Sequence, residues 1–134
     1  MLTDELTCRQ ILIAERDRNV RDLQSYVLEA AGFDVEFVDD GEAALAYATS
    51  NPTALIVTEI LIPKLDGLTL CRRLRAERTT RDVPVLVFSI LAAAARAEEA
   101  GANAFLRKPF IESIFIATVS MLTTVQENVM TETR

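Results

Sequence analysis

Residues 53–67 read Thr-Ala-Leu-Ile-Val-Thr-Glu-Ile-Leu-Ile-Pro-Lys-Leu-Asp-Gly, and this stretch decides the fold. Ala54 to Val57 is a short apolar run with branched side chains, the pattern of a strand buried on both faces. Glu59 is a lone carboxylate where that run ends, and Pro63 with Asp66-Gly67 marks a turn before a new helix. In an open parallel sheet the carboxyl ends of the strands face the ligand crevice, so a charge just past a buried strand marks a candidate site.

The same layout occurs upstream. Ile11-Leu12-Ile13, within a strand over 10–14, is followed at once by Glu15-Arg16-Asp17-Arg18. Asn19 is placed to cap a helix whose apolar stripe is Leu23, Val27 and Ala30, with Tyr26 at its flank and Gly32 as its stop. Val35, Phe37 and Val38 make a second strand. Asp39-Asp40-Gly41 then offers an N-cap to a helix with Ala44, Leu45 and Ala48 inside, closed by Asn51-Pro52.

Downstream, Leu68, Leu70, Cys71 and Leu74 give a third amphipathic helix, with Arg72, Arg73, Arg75 and Glu77 as a solvated outer face. Residues 84–88 form a fourth strand ending at Ser89, which also suits a helix cap. Leu91 to Ala100 is a helix stopped by Gly101. Residues 104–106 are a short fifth strand followed by Arg107-Lys108-Pro109. A long last helix carries Ile114, Thr118, Met121, Leu122 and Val125 at helical spacing and frays near Thr131. Strand and helix alternate five times, so the expected fold class is α/β, a doubly wound five-stranded parallel sheet.

Composition bounds the function. With 134 residues, half of them apolar, the chain suits one domain. A net charge of −6 argues against a nucleic-acid partner, which would need clustered bases. No run has the length of a membrane span, and the opening seven residues carry acids where a secretory signal carries bases, so a cytoplasmic location is expected. Cys8 and Cys71 stand far apart and the chain has no histidine. That disfavours a metal site, a Cys/His nucleophile and a redox pair.

The residues ending the apolar strands are Glu15 and Arg16, Glu59, Ser89 and Lys108, which should converge on one sheet edge. With Ile-Leu-Ile-Ala-Glu-Arg-Asp at 11–17, Asp-Gly-Glu-Ala-Ala-Leu at 40–45, Ile-Pro-Lys-Leu-Asp-Gly at 62–67 and Lys108-Pro109-Phe110, the chain resembles the receiver domain of two-component response regulators over about Ile11 to Glu127. The resemblance implies the flavodoxin-like (βα)5 receiver fold over 9–130; residues 1–8, polar and without periodicity, read as a flexible leader, and 131–134 as a tail. In that family an acid pair after the first strand and an aspartate after the third hold Mg²⁺, and the aspartate takes a phosphoryl group from a histidine kinase. A hydroxyl after the fourth strand and an aromatic on the fifth report the change. Divalent charge and a lysine are needed because transfer concentrates negative charge on the phosphoryl oxygens.

This chain departs from that pattern where the chemistry lies. Glu59 stands at the phosphoacceptor position, Arg16 at that of the second pocket acid, and Glu15 at that of the first. Ser89, Lys108 and Phe105 match the hydroxyl, the lysine and the switch aromatic, although the plain reading of Phe105 is core packing. Two acids and two bases cancel, so the expected site is self-neutralised, with Arg16 or Lys108 on Glu59 and no Mg²⁺ or other cofactor. The segment between Ser89 and Lys108 is short by about one helical turn, which alters the fourth helix.

The expectation is a stand-alone, non-enzymatic pseudo-receiver acting through a protein partner, either a sensor histidine kinase or a downstream effector. The fourth helix, fifth strand and fifth helix are the candidate face for a homodimer. Two alternatives stay open: phosphorylation at another acid such as Asp17 or Asp66, and a flavin-binding or enzymatic use of the same scaffold. The second is disfavoured because no Gly-rich phosphate loop follows the first strand.

Overall fold

The structure, a computed structural model, describes residues 8–132, with side chains through residue 124. Most of the expected leader, the end of the tail and the Val125 side chain lie outside the described residues. The strands are β1 (Gln10–Ala14), β2 (Asp34–Val38), β3 (Leu55–Thr58), β4 (Val85–Ser89) and β5 (Ala104–Arg107). They form one sheet in the order β2-β1-β3-β4-β5 with every pairing parallel. The helices are α1 (Arg18–Ala30), α2 (Gly41–Ser50), α3 (Gly67–Ala76), α4 (Ala94–Glu99) and α5 (Glu112–Glu132).

Strand alternation divides the core in two. Leu12, Ala14, Ile56, Val85 and Val87 pack with residues of α2, α3 and α4 on one face. Ile11, Ile13, Leu55, Val57, Leu86 and Phe88 pack with residues of α1 and α5 on the other. The strand order reverses between β1 and β3, which opens the crevice at their carboxyl ends.

Four local expectations change. Asp17, not Asn19, caps α1, its Oδ1 accepting from the amides of Asn19 at 2.9 Å and Val20 at 3.1 Å. A cap must precede the helix for its side chain to reach these free amides, and Asn19 already lies inside it. The buried face of α1 is Gln24, Val27 and Leu28, whereas Leu23, Tyr26 and Ala30 are exposed. Among the described side chains of α5 the buried ones are Phe115, Val119, Leu122 and Thr123, with Ile114 and Met121 outside. Arg75, read as solvated, instead clamps the neighbouring loops. Its guanidinium donates to the carbonyls of Gly101 (2.9 Å), Val83 (2.7 Å) and Arg81 (3.1 Å) and to Asn103 Oδ1 (2.8 Å). The fourth helix, expected over Leu91 to Ala100, is α4, six residues long and without a side-chain cap.

Gln24 is 0% exposed, and neither its Nε2 nor its Oε1 has a partner among the described residues. A buried amide without hydrogen bonds costs about 1–3 kcal/mol. Gln24→Met keeps the length and removes the polar atoms, so it is expected to stabilise the fold by about 1 kcal/mol or more, read as a higher urea midpoint at unchanged slope. A lower midpoint would show that buried water satisfies the amide.

Candidate functional site

The carboxyl ends of β1, β3, β4 and β5 bring Glu15, Glu59, Ser89 and Lys108 together. Backbone pairing sets their positions: Glu59 N–H donates to the Ala14 carbonyl at 3.0 Å, and Lys108 N–H to the Ser89 carbonyl at 2.8 Å. Glu15 and Glu59 are 3% and 6% exposed, so each carboxylate needs compensation from the protein.

Glu59 is fully engaged. Its Oε1 accepts from the amides of Ile60 (2.6 Å) and Leu61 (3.3 Å) and from the Ser89 hydroxyl. Its Oε2 accepts from the Ile90 amide at 3.2 Å and pairs with Lys108 Nζ at 3.1 Å. Burial pushes this carboxyl upward, but the Ser89 and Lys108 hydrogen bonds, the Ile60 amide and the lysine charge together hold it below the usual glutamate value. The Ser89 Oγ also accepts from the Leu91 amide at 3.1 Å, which holds the turn after β4, but it does not cap α4 as the sequence suggested, because that helix begins only at Ala94.

Lys108 Nζ lies between the two acids, 3.0 Å from Glu15 Oε1 and 3.1 Å from Glu15 Oε2, and 5.7 Å above the Phe88 ring centroid. Burial alone would lower its pKa, yet the hydrogen bonds and charges of Glu15 and Glu59 raise it. The Lys108-Pro109 peptide that follows is cis.

Lys108 therefore makes the expected ion pair with Glu59, and Arg16 does not. The Arg16 side chain is exposed and has no ion pair among the described residues. The chain turns outward after Glu15 because Asp17 must reach back to cap α1, and its own amide donates to Glu15 Oε2 at 3.1 Å. Phe105 is half-buried and packs against the core face of α3 and α4.

The residue missed by sequence reasoning is Arg21. Its Nε donates to the Glu15 carbonyl, and its Nη2 donates to the Val38 carbonyl at 3.0 Å and Asp39 Oδ1 at 2.6 Å. It thereby fixes the backbone that presents Glu15. A position one turn into a helix gives no pattern signal for such a role.

The Mg²⁺ ion implied by the resemblance can be tested against these donors. Mg²⁺ wants near-octahedral oxygen ligands at about 2.0–2.1 Å and several waters. Here an ammonium already lies on both acids, Glu59 has five donors on its two oxygens, and the third acid position is an exposed arginine. This donor set does not fit Mg²⁺.

Asp17 and Asp66 are both helix caps. Asp66 Oδ1 accepts from the amides of Leu68 and Thr69, each at 2.9 Å, and its Oδ2 from the Thr69 hydroxyl at 2.8 Å. Burial opposes ionisation of Asp66, but the bonds from Thr69 and Leu68 and the Arg72 charge outweigh it and lower its pKa.

Comparison with known proteins identifies the family to which this fold belongs. The response regulator receiver domain model matches residues 11–120. The DNA-binding dual master transcriptional regulator RpaA of Synechocystis is 37% identical over 116 residues, covering 84% of this chain and 48% of that protein. The chain spans about half the length, or less, of the curated relatives it matches. The receiver domain of a signal transduction histidine kinase from Syntrophus aciditrophicus superposes with a TM-score of 0.80 at 29% identity, covering 87% of this chain and 91% of that one. The receiver domain of sensor histidine kinase PA1611 from Pseudomonas aeruginosa, with magnesium coordinated in its active site cleft, gives 0.79 at 25% identity, covering 88% and 99%. Among the described residues no helix is long and apolar enough to cross a membrane. Sheet order, family model and sequence match agree, and the chain belongs to the response regulator receiver domain family.

Proposed function

We propose that this receiver is a pseudo-receiver: Glu59 stands in place of the phosphoacceptor aspartate, takes no phosphoryl group, and holds the domain in one signalling state that a protein partner reads. The observation that carries this is the engagement of Glu59 by Ser89 and Lys108 together. These are the hydroxyl and the lysine that would otherwise respond to a phosphoryl group. A carboxylate with five donors has no oxygen left free for in-line attack, and no divalent charge is available to spread the transition-state charge. The capping duties of Asp17 and Asp66 weigh against either acid as a substitute acceptor. Output is by contact and not by catalysis. The partner is a kinase, an effector or a second copy through α4, β5 and α5, where Ile111, Ile114 and Met121 are exposed.

The test is an amide-resolved NMR titration with Mg²⁺ and then beryllofluoride, a phosphoryl mimic. Unchanged Ile60, Leu61, Ile90 and Leu91 amides are expected. Saturable Mg²⁺-dependent shifts at those amides would overturn the reading. Mass analysis after incubation with acetyl phosphate should find no added phosphoryl group, and an adduct at Asp17 or Asp66 would mark a phosphorylated receiver instead. Light scattering on the same samples reports whether the partner is a second copy.

A further inference from the structure

Arg16, displaced from the Glu59 site, lines a different cavity. This cavity has a volume of about 490 Å³ and lies between the loop after β1, helix α1 and edge strand β2. Arg16, Arg18 and Arg21 share it with Asp22 and Asp39, and Ser25 and Phe37 complete the wall. Three guanidiniums against two carboxylates leave one net positive charge, in a chain whose overall charge is −6.

Pairing leaves that single positive charge on Arg16 and Arg18, which share the wall with Asp22, a carboxylate that has no ion pair among the described residues. Arg21 takes Asp39 at 2.6 Å, whereas Arg16 and Arg18 have no ion pair among the described residues. Arg21 is held rigidly by the Glu15 and Val38 carbonyls through Nε and Nη2, and its Nη1 has no acceptor among the described residues. One fixed guanidinium with donors to spare, flanked by two unpaired ones, is a geometry that a phosphate satisfies through forked hydrogen bonds.

Size and wall chemistry narrow the ligand. The volume falls within the range of small-molecule sites, about 300–1,000 Å³, and exceeds what a bare inorganic anion fills. Phe37 is half-buried with the Arg21 guanidinium 5.0 Å from its ring centroid, which gives an aromatic-cationic wall beside the phosphate donors. The charge lies in a concavity and is not spread over a convex face, which favours a small anion over an acidic protein surface. We propose that this cavity binds a phosphate ester of nucleotide size, its phosphate on Arg16, Arg18 and the free end of Arg21 and its ring toward Phe37. Such a ligand would act beside β1 and α1, apart from the Glu59 network.

The experiment is calorimetry and amide-resolved NMR on the full chain at near-physiological salt, which suppresses loose ion pairing. Adenosine and guanosine monophosphates are the probes, with inorganic phosphate and unphosphorylated adenosine as separating arms. At least one nucleotide is expected to bind saturably, with shifts at Arg18, Ser25 and Phe37, and more tightly than either separating arm. The double variant R16A/R18A is expected to weaken binding by about tenfold or more and to unfold at the same urea midpoint, since both side chains are exposed. Equal affinity for inorganic phosphate, no loss in the double variant, or binding of an acidic peptide without nucleotide binding would each overturn the proposal. None of these results bears on Glu59, so this inference and the pseudo-receiver reading fail separately.

Discussion

Lys108→Met is expected to lower the unfolding free energy at neutral pH by about 3–5 kcal/mol, the usual cost of removing one partner from a buried ion pair. Methionine keeps the aliphatic stem that passes Phe88 and deletes only the ammonium. Glu15 and Glu59, 3% and 6% exposed, are then left as facing like charges with no cation between them. The pH dependence distinguishes this from lost packing. In the wild type Glu59 is depressed, so its contribution is present above the ordinary glutamate pKa and lost as pH falls through its lowered value. Lys108 is raised, so its contribution is present below the ordinary lysine pKa and lost as pH rises through its raised value. Both contributions are therefore full at neutral pH.

Without Lys108, Glu59 loses a hydrogen bond and a charge that hold its carboxyl down while burial still pushes it upward, and its protonation relieves the stranded charge as the solution becomes acidic. The gap between wild type and variant should accordingly narrow from neutral to mildly acidic pH in urea unfolding. Adding Glu59→Gln to Lys108→Met should recover about 1 kcal/mol or more at neutral pH, because one of the stranded charges is gone. A deficit independent of pH would reduce Lys108 to the packing of its stem.

The parts readable from the sequence are those where one residue type has one cheap explanation. Ile11-Leu12-Ile13 and Leu55-Ile56-Val57 are apolar on consecutive residues, which only strands covered on both faces accommodate at this length, and they became the paired central strands. Glu15, Glu59, Ser89 and Lys108 each follow such a strand, so their convergence follows from parallel topology alone. Helix phase was less readable. In α5 both Ile114 and Phe115, and both Met121 and Leu122, are apolar, so periodicity does not choose between two faces one residue apart. In α1 the true face includes a glutamine, which a hydrophobic pattern excludes by construction. The opposite fates of Arg16 and Lys108 depended on where Asp17 turns the chain, a capping decision made three residues beyond the strand. Long side chains such as Arg21 and Arg75 reach several loops at once, and no local spacing announces that.

Gly41→Ala is expected to cost about 3 kcal/mol or more, which for a domain of this size lowers the melting temperature by roughly 10 °C. The Asp-Gly pairs at 40–41 and 66–67 read as turn signals, but neither glycine has a positive φ, unlike Gly32 and Gly101. Each is the first residue of a helix behind an aspartate cap, and each is glycine for lack of space. A Cβ on Gly41 would lie 1.9 Å from the Leu65 carbonyl oxygen and 2.6 Å from Leu65 Cβ. One on Gly67 would lie 2.3 Å from the Glu59 carbonyl oxygen and 2.9 Å from Ile60 Cα. Backbone cannot rotate away as a side-chain tip can, so the loop from Glu59 to Asp66 must shift bodily and lose the Gly41-to-Pro63 or Gly67-to-Ile60 hydrogen bond. Gly32→Ala is the contrast. Its Cβ would meet only the flexible end of Arg9 at 3.3 Å, so its cost is the left-handed backbone alone, about 1–2 kcal/mol. Thermal unfolding should rank Gly41→Ala and Gly67→Ala well below Gly32→Ala. Gly67→Ala should displace the Ile60 and Ile90 amide resonances more than Gly41→Ala does, because only that Cβ presses on the carbonyl of Glu59 itself. A Gly41→Ala protein that melts with the wild type would mean the loop has slack, and the placement of Glu59 would then rest on Ser89 and Lys108 without help from the helix behind it.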